Sequence, residues 1–288
     1  MDYYTDIQTQ PDYNIDNSKE GIVADKLVKI YGRKRVVDEV SFHVKQGEIV
    51  GLLGPNGAGK TTTFYMIVGL IASNGGNVYL DGKNIERLPM YKRALSGIGY
   101  LPQENSIFRK LTVEENIKAV LDIQGKDRSE IDLITDSLIS ELKLEHVRKQ
   151  KAFTLSGGEK RRTEVARILA INPRFVLLDE PFTGIDPMAI EGIQNIITSL
   201  RDKRGIGILI TDHNALETLY FMDRAYIVYE GQIKVEATFK ELFGSKSEIN
   251  EEKREMVKAY YLGENFHFDD IKEIRKFKRK HGEDKKQS

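Results

Sequence analysis

The stretch Glu48-Ile-Val-Gly-Leu-Leu-Gly-Pro-Asn-Gly-Ala-Gly-Lys-Thr61 decides the fold of this chain. Residues 48–53 form a nearly continuous apolar run, which is typical of a strand buried on both faces of a sheet. Residues 54–61 fit the pattern G-x-x-x-x-G-K-[ST], and residues 61–70 predict a helix. Because the N–H groups and the dipole at a helix start attract anions, this order of elements predicts a phosphate-binding loop.

The loop indicates nucleotide binding, in preference to the alternative of a chance glycine-rich turn. We expect Lys60 to reach the β- and γ-phosphates and the Thr61 hydroxyl to hold Mg²⁺. The predicted ATP-binding residues of the loop are Gly54, Pro55, Asn56, Gly57, Ala58, Gly59, Lys60, Thr61 and Thr62.

A second buried run, Phe175-Val-Leu-Leu-Asp179-Glu180, ends in two carboxylates. Ligands of open parallel sheets bind at the carboxyl edge of the strands. Asp179 suits Mg²⁺ coordination, directly or through water, and Glu180 suits polarising an attacking water as a general base. Alone, such a strand end is as often a solvated terminus, but beside a phosphate loop it indicates hydrolysis.

The composition excludes several classes of function. The chain has 288 residues with 44 basic and 44 acidic side chains, so no whole-protein field gathers nucleic acid. The absence of cysteine excludes disulfides, thiolate zinc sites and cysteine nucleophiles. No apolar run approaches the roughly 20 residues that span a bilayer, and no secretory signal is visible at the start. We therefore expect a cytoplasmic protein whose membrane role is peripheral, through a partner.

Apolar patterning predicts a core sheet with a helical insertion. Further buried strands are predicted at 99–101, 175–178 and 206–211, and strands alternating with helices imply a mostly parallel sheet. Other predicted features are a short strand around residues 36–42, a turn at 74–77 and a hairpin of 225–229 with 233–237. Helical spacing replaces strand signals between residues 111 and 169, which predicts a helical subdomain at about 106–170.

The five residues Leu155-Ser-Gly-Gly-Glu159 form a second glycine-rich turn at the start of a predicted helix. A triphosphatase that works as a single unit has no need of two such loops. We interpret the second loop as closing over ATP held by a neighbouring copy, so that ATP joins a dimer and hydrolysis releases it. Ser156 alone indicates a helix N-cap, and the same residue can serve both roles.

In this order, the segments resemble the ATP-binding cassette (ABC) family over roughly residues 21–266. The resemblance implies an α/β fold with a P-loop NTPase (RecA-like) core, an N-terminal antiparallel β-subdomain, the inserted helical subdomain and C-terminal helices at about 238–266. It also implies ATP and Mg²⁺ as cofactors and a homodimer as the working state.

Additional residues match positions to which the family assigns roles. Tyr31 matches the aromatic residue that stacks on adenine, and Gln103 matches the glutamine, at the junction of strand and helical domain, that contacts Mg²⁺ and water. Asp186 matches the loop that communicates between subunits, and His213 matches the switch that contacts the γ-phosphate. The alternatives are that Tyr31 packs at a strand end, that Gln103 is a surface residue and that His213 is structural. The resemblance implies a catalytic set of Lys60, Gln103, Glu180 and His213. It implies that Thr61, Gln103 and Asp179 bind the metal. It also implies that the γ-phosphate of the opposite subunit is bound by Ser156, Gly157 and Gly158.

Residues 54–65, 99–109 and 261–264 narrow the resemblance to the ATPase subunits of lipopolysaccharide export transporters. In those subunits the surface after the glutamine receives helices of the integral-membrane subunits, and Phe108 and Arg109 occupy the matching positions. An exposed aromatic beside an arginine suits docking, whereas the alternative places Phe108 in the core. Glu159 departs from ABC proteins at large, which more commonly carry Gln there.

The two termini have no counterpart in that family. Residues 1–20 are polar and acidic, and we expect them to be disordered. Residues 267–288 are basic, and the alternatives are a disordered, solvated tail or a short amphipathic helix on anionic lipid. The same basic run resembles a nucleic-acid patch, but we expect no nucleic-acid partner for a neutral protein.

Three hypotheses follow for the whole protein. The first is an ATPase on the cytoplasmic face of the inner membrane, driving lipopolysaccharide extraction with integral-membrane permease subunits. The second keeps the cassette but changes the cargo, for example in a branched-chain amino-acid importer. The third is a soluble regulator or nucleic-acid factor, a class that usually has tandem cassettes or long coiled-coil insertions, which this chain lacks.

Overall fold

The computed structural model describes residues 20–212, 218–219, 221–263 and 266–268. Two sheets organise this part of the chain. The first is antiparallel in the order β2-β1-β4-β5 and consists of Ile22–Tyr31 (β1), Lys34–Val44 (β2), Gly75–Leu80 (β4) and Lys83–Asn84 (β5). It is the antiparallel β-subdomain that the resemblance implied.

The second sheet forms the core, in the order β10-β9-β3-β8-β7-β6. Its strands are Ile49–Leu53 (β3), Ile98–Leu101 (β6), Phe175–Asp179 (β7), Gly207–Asp212 (β8), Arg224–Tyr229 (β9) and Gln232–Thr238 (β10). β3 pairs in parallel with β8 and β9, and β7 with β6 and β8, whereas β9 and β10 form the predicted hairpin. Every residue of β3, β7 and β8 is buried, and the predicted mostly parallel sheet is confirmed.

The turn predicted at residues 74–77 is wrong, because β4 begins at Gly75. Gly75 and Asn77 pair with Val28 and Asp25 of β1, on either side of an irregularity in the ladder. Gly76 has φ 81°, and a Cβ there would lie 2.2 Å from the Lys26 carbonyl oxygen. The second glycine therefore permits close approach of two strands rather than a chain reversal.

Helices cover the core sheet and fill the connection between β6 and β7. They are Lys60–Val68 (α1), Met90–Leu95 (α2), Val113–Ile123 (α3), Arg128–Glu141 (α4), Gly157–Leu169 (α5), Pro187–Arg204 (α6), Phe239–Phe243 (α7) and Glu251–Val257 (α8), with 3₁₀ turns at Glu145–Val147 and Ala152–Thr154 and a π turn at Lys258–Leu262. The side chains of Thr112, Asp127 and Ser156 accept hydrogen bonds from the first turns of α3, α4 and α5, which fixes where these helices begin.

Two apolar clusters cover the two faces of the core sheet. Ile49 and Leu53 of β3 belong to one cluster and Val50 and Leu52 to the other, because successive side chains of a strand point to opposite faces. The first cluster continues through α3, α4 and α5, so these helices and the core sheet share one apolar interior.

Within the described residues, no helix is long and apolar enough to cross a membrane. The predictions for the two tails fall almost entirely outside those residues, which begin at Glu20 and end at Phe268.

Candidate functional site

The phosphate loop connects β3 to α1, as predicted. Lys60 is buried, and its ammonium donates hydrogen bonds to the carbonyl oxygens of Gly54 (2.8 Å) and Pro55 (3.0 Å). Gly59 precedes α1 with φ 104°, and no side chain caps the first turn of this helix in the described chain. The first N–H groups of α1 are therefore available to an anion.

A cavity of about 260 Å³ lies at this loop, and residues from distant parts of the chain line it. It is lined by Val36, Asn56, Gly57, Gly59, Lys60, Thr61, Thr62 and Glu180. Glu180 thus faces the loop across the carboxyl edge of the sheet, as the sequence predicted. Val36 of β2 was not predicted, because only the packing of the antiparallel sheet against the loop brings it there.

Asp179 ends β7 in a fully buried position between β6 and β8. Its Oδ1 accepts a hydrogen bond of 2.5 Å from the Thr211 hydroxyl, whereas its buried Oδ2 has no hydrogen-bond partner among the described residues. Burial, with a smaller contribution from the Glu180 charge, raises the pKa of Asp179 above its usual value. Burial likewise lowers the pKa of Lys60, although the nearby carboxylates of Glu180, Asp179 and Asp212 oppose this shift.

Glu180 is held by contacts from three segments. Its N–H donates to the carbonyl oxygen and the hydroxyl of Thr211, both at 3.1 Å. Its Oε2 accepts hydrogen bonds from Gln103 Nε2 (2.7 Å) and the Thr183 hydroxyl (3.1 Å). The backbone of Glu180 has φ 42°, a conformation that costs a non-glycine residue about 1 kcal/mol or more. The structure therefore brings the predicted residues Gln103 and Glu180 into direct contact.

The predicted metal residues fit a magnesium ion that is bound together with phosphate. Among the described residues, no group of three or more His, Cys, Asp or Glu side chains could hold a metal alone. Mg²⁺ typically takes one or two protein carboxylates and completes its shell with water and substrate phosphates. Asp179 has an unpartnered oxygen, and Thr61 lines the cavity. Gln103 donates its amide N–H to Glu180, so its carbonyl oxygen is the atom it can offer a cation.

The second glycine-rich turn lies outside this cavity. Ser156 is the N-cap of α5 in a reciprocal capping box, in which its hydroxyl accepts from the Glu159 N–H and the Glu159 carboxylate accepts from the Ser156 N–H. His146 Nε2 lies 3.0 Å from the other Glu159 oxygen. Ser156 and Gly157 are exposed, and Gly158 packs against Ala189. Glu159, which departs from the commoner Gln, therefore serves as the capping partner.

The other predicted nucleotide residues lie at the surface or outside the described chain. Tyr31, at the end of β1, is 52% exposed, and the Lys29 ammonium lies 5.3 Å from its ring centroid. Asp186 is exposed before α6, and its carbonyl oxygen accepts hydrogen bonds from Ala189 and Ile190. His213 lies outside the described residues.

Phe108 lies at the surface, which contradicts the alternative that it belongs to the core. Its side chain is 44% exposed, and the Arg167 guanidinium lies 4.2 Å from its ring centroid. Arg109 is also exposed. Arg167 also lines a neighbouring groove of about 330 Å³, so Phe108 lies next to that groove. The groove is lined by Val68, Leu70, Met90, Arg93, Ala94, Ile98, Tyr100, Pro102, Ser106, Val120, Glu164, Arg167, Ile168 and Ile171.

Sequence reasoning missed two buried residues that support the site. Thr211 contacts both acidic residues, and its only signal was its position at a predicted strand end. Arg161 of α5 donates to the carbonyl oxygens of Pro102 (3.0 Å) and Pro181 (3.2 Å), the neighbours of Gln103 and Glu180. A charged residue on a predicted helix gave no sign of these long-range contacts.

Comparisons with known proteins identify the family of this chain. The family described as ABC transporter matches residues 37–183. The lipopolysaccharide export system ATP-binding protein LptB of Haemophilus influenzae is 51% identical over 249 residues, which cover 85% of this chain and 98% of that protein. A probable ABC transporter ATP-binding protein of Azorhizobium caulinodans is 49% identical over 255 residues, covering 88% and 87%. The dimeric structure of MJ0796, a bacterial ABC transporter cassette, aligns with a TM-score of 0.68 and 25% identity, covering 76% of this chain and 98% of that one. The chain therefore belongs to the ABC transporter family, as an ATPase of the cassette type.

Proposed function

We propose that two copies of this chain enclose two molecules of MgATP and, through integral-membrane subunits, extract lipopolysaccharide from the inner membrane. The observation that carries the cargo is the 51% identity to LptB over 98% of that protein's length. The paired arrangement of the MJ0796 cassette supports the dimer. The protein would then work at the cytoplasmic face of the inner membrane.

The residues around the phosphate loop divide the work of hydrolysis. Lys60 and the N–H groups at the start of α1 bind the phosphates, and Tyr31 stacks on the adenine. Glu180 orients the attacking water and accepts its proton as the water oxygen bonds to the γ-phosphorus, while the bond from that phosphorus to the bridging β-phosphate oxygen breaks and ADP leaves. The hydrogen bonds from Gln103 and Thr183 fix the Glu180 carboxylate, because phosphoryl transfer depends mainly on positioning and charge stabilisation. Thr61, Gln103 and Asp179 would hold Mg²⁺, which supplies positive charge beside the β- and γ-phosphates when bound.

The site is completed by the second copy. Ser156 and Gly157 are exposed and do not line the cavity of their own chain. In the dimer, the N-terminus of α5 faces the γ-phosphate held by the partner, where its N–H groups and dipole favour the anion. Asp186 then communicates this closure between the two subunits, and His213 contacts the γ-phosphate. Hydrolysis removes the bridging phosphate and lets the two copies separate.

The groove next to Phe108 is the surface that we assign to a membrane subunit. Apolar side chains dominate its lining, and its charged residues are Arg93, Glu164 and Arg167. This chemistry suits the apolar face of a short helix, with Phe108 and Arg109 at its edge. Closure of the dimer would draw two such docked helices together.

Glu180→Gln tests the ATPase assignment. The variant should bind ATP and accumulate as a dimer, while turnover falls at least about 100-fold because the base is lost. Glu252→Gln, at an exposed position of α8, is the matched control and should keep normal turnover. Unchanged hydrolysis in Glu180→Gln would refute the assignment of the base.

Affinity purification from membranes tests the cargo. The integral-membrane proteins retained by this chain should be those of a lipopolysaccharide exporter. Retention of the permease of a solute importer would overturn the cargo and leave the ATPase assignment intact. Turnover stimulated by nucleic acid, without any retained membrane protein, would favour the soluble factor.

A further inference from the structure

Arg93 of α2 places a buried positive charge beside the docking groove. Its side chain is only 2% exposed. The guanidinium donates to four backbone carbonyl oxygens: Nε to Leu88 (2.8 Å), Nη1 to Met66 and Ile67 (2.7 Å each) and Nη2 to Glu86 (2.7 Å). A planar fork of donors can satisfy several carbonyls at once, which a lysine ammonium cannot do in the same geometry.

Two of these acceptors belong to the last turn of α1. The final carbonyl groups of a helix have no partner within the helix, and they form the negative end of its dipole. Arg93 supplies both a hydrogen bond and a positive charge to Met66 and Ile67 at this end. Gly69 ends the helix with φ 79°, and a Cβ there would lie 2.8 Å from Arg93 Nε, so the chain leaves room for the guanidinium.

The other end of α1 belongs to the nucleotide site. Lys60 and Thr61 are its first residues and line the phosphate cavity. Val68, its last residue, lines the groove together with Leu70, Met90 and Arg93. α1 has nine residues and is therefore about 13.5 Å long, a single rigid element between the two surfaces.

We propose that Arg93 is a positioning residue that transmits docking in the groove to the phosphate loop through α1. This inference rests on the proposed docking of a membrane subunit. A helix that presses on Met90 and Ala94 moves α2, and the guanidinium carries that movement to the last turn of α1. The displaced helix then shifts the N–H groups and the Lys60 ammonium that hold the phosphates. Phosphoryl transfer is sensitive to such shifts, because a misplacement of about 1 Å can cost a factor of about 100 in rate.

The test compares turnover of the isolated protein with turnover of the complex that it forms with its co-purified membrane subunits. Arg93→Lys keeps the charge but cannot bridge the carbonyls, so the complex should assemble while the ratio of the two turnover rates changes about tenfold from wild type. Arg254→Lys is the matched control, since Arg254 is also buried and donates to the carbonyl oxygen of Leu242 in α7. It should lose stability without a change in the ratio.

Hydrogen exchange on the wild-type protein provides a second measurement that does not depend on a variant folding. Assembly of the complex should change exchange both at residues 66–70 and at the phosphate loop, residues 54–62. A change confined to the groove, or an unchanged ratio in Arg93→Lys, would overturn the inference while leaving the proposed function standing. If wild-type protein retains no membrane subunits, both the inference and the docking proposal fall.

Discussion

Thr211→Val removes one hydroxyl from beneath both acidic residues of the site. Thr211 is fully buried, and its hydroxyl donates to Asp179 Oδ1 at 2.5 Å and accepts from the Glu180 N–H at 3.1 Å. Valine has almost the same shape, so the substitution changes hydrogen bonding with little change in packing. Thr211→Ser is the matched control, because it keeps the hydroxyl and loses only a methyl group.

The expected magnitude follows from which atoms lose a partner. The Glu180 N–H keeps the Thr211 carbonyl oxygen as an acceptor, whereas the Asp179 carboxylate loses the donor to Oδ1 and has none at Oδ2 within the described part of the chain. Loss of a hydrogen bond to a buried charged group costs about 2–3 kcal/mol, so the free energy of unfolding should fall by that amount. Thr211→Ser should cost about 1 kcal/mol for the lost methyl.

The loss of stability should also depend on pH. Burial raises the pKa of Asp179, so the folded protein holds this proton more tightly than the unfolded chain, and stability falls as pH rises above about 4. The hydrogen bond from Thr211 opposes that shift, and its removal raises the pKa further. The destabilisation by Thr211→Val should therefore be smaller towards acidic pH than towards alkaline pH, as measured by denaturant unfolding, whereas that of Thr211→Ser should not vary. Equal, pH-independent effects of the two substitutions would refute the reasoning.

Further predictions concern surface residues of the site. Tyr31→Ala should raise the KM for ATP about 5- to 100-fold with little change in kcat, because base stacking contributes about 1–3 kcal/mol; Tyr31→Phe is the control, and equal KM values would contradict stacking. Ser156→Ala should lower the free energy of unfolding by about 1 kcal/mol through loss of the N-cap, and should also weaken the ATP-dependent dimer in size-exclusion chromatography; dimerisation that matches wild type would remove Ser156 from the partner's site. Phe108→Ala should abolish retention of membrane subunits while turnover of the isolated protein stays within about twofold, since hot-spot side chains carry much of an interface's binding energy; retention at the wild-type level would exclude Phe108 from the docking surface.

The parts of the fold that the sequence predicted are those with strong local signals. The apolar runs of β3, β7 and β8 are buried on both faces and could be assigned without knowledge of their partners. The pair Gly75–Gly76 led to the wrong prediction of a turn, because adjacent glycines are typical of turns. In β4, pairing with β1 outweighs this local preference. Glycines at a close approach of two strands and glycines in a turn look alike until the partner strand is known.

The same distinction applies to the candidate site. The phosphate loop and the Asp179–Glu180 pair are contiguous motifs, and the sequence predicted their meeting at one edge of a parallel sheet. Gln103 entered the predicted site only through resemblance, since nothing local marks that glutamine, and its hydrogen bond to Glu180 was found only in the structure. Val36, Thr211 and Arg161 act through tertiary contacts between segments far apart in the chain. Ordinary residue types that gain importance only by position could not be predicted from one sequence.

At position 180, the residue that best fits the left-handed backbone conformation is not the residue that catalysis requires. Glycine, or to a lesser degree asparagine, relieves the conformational cost at φ 42°, but either one removes the base. A screen for heat-resistant variants that does not measure turnover will therefore select substitutions of Glu180, and the selected variants will be inactive. Selection that requires ATP hydrolysis keeps Glu180 despite its conformational cost. Increases in stability must then come from substitutions elsewhere in the chain.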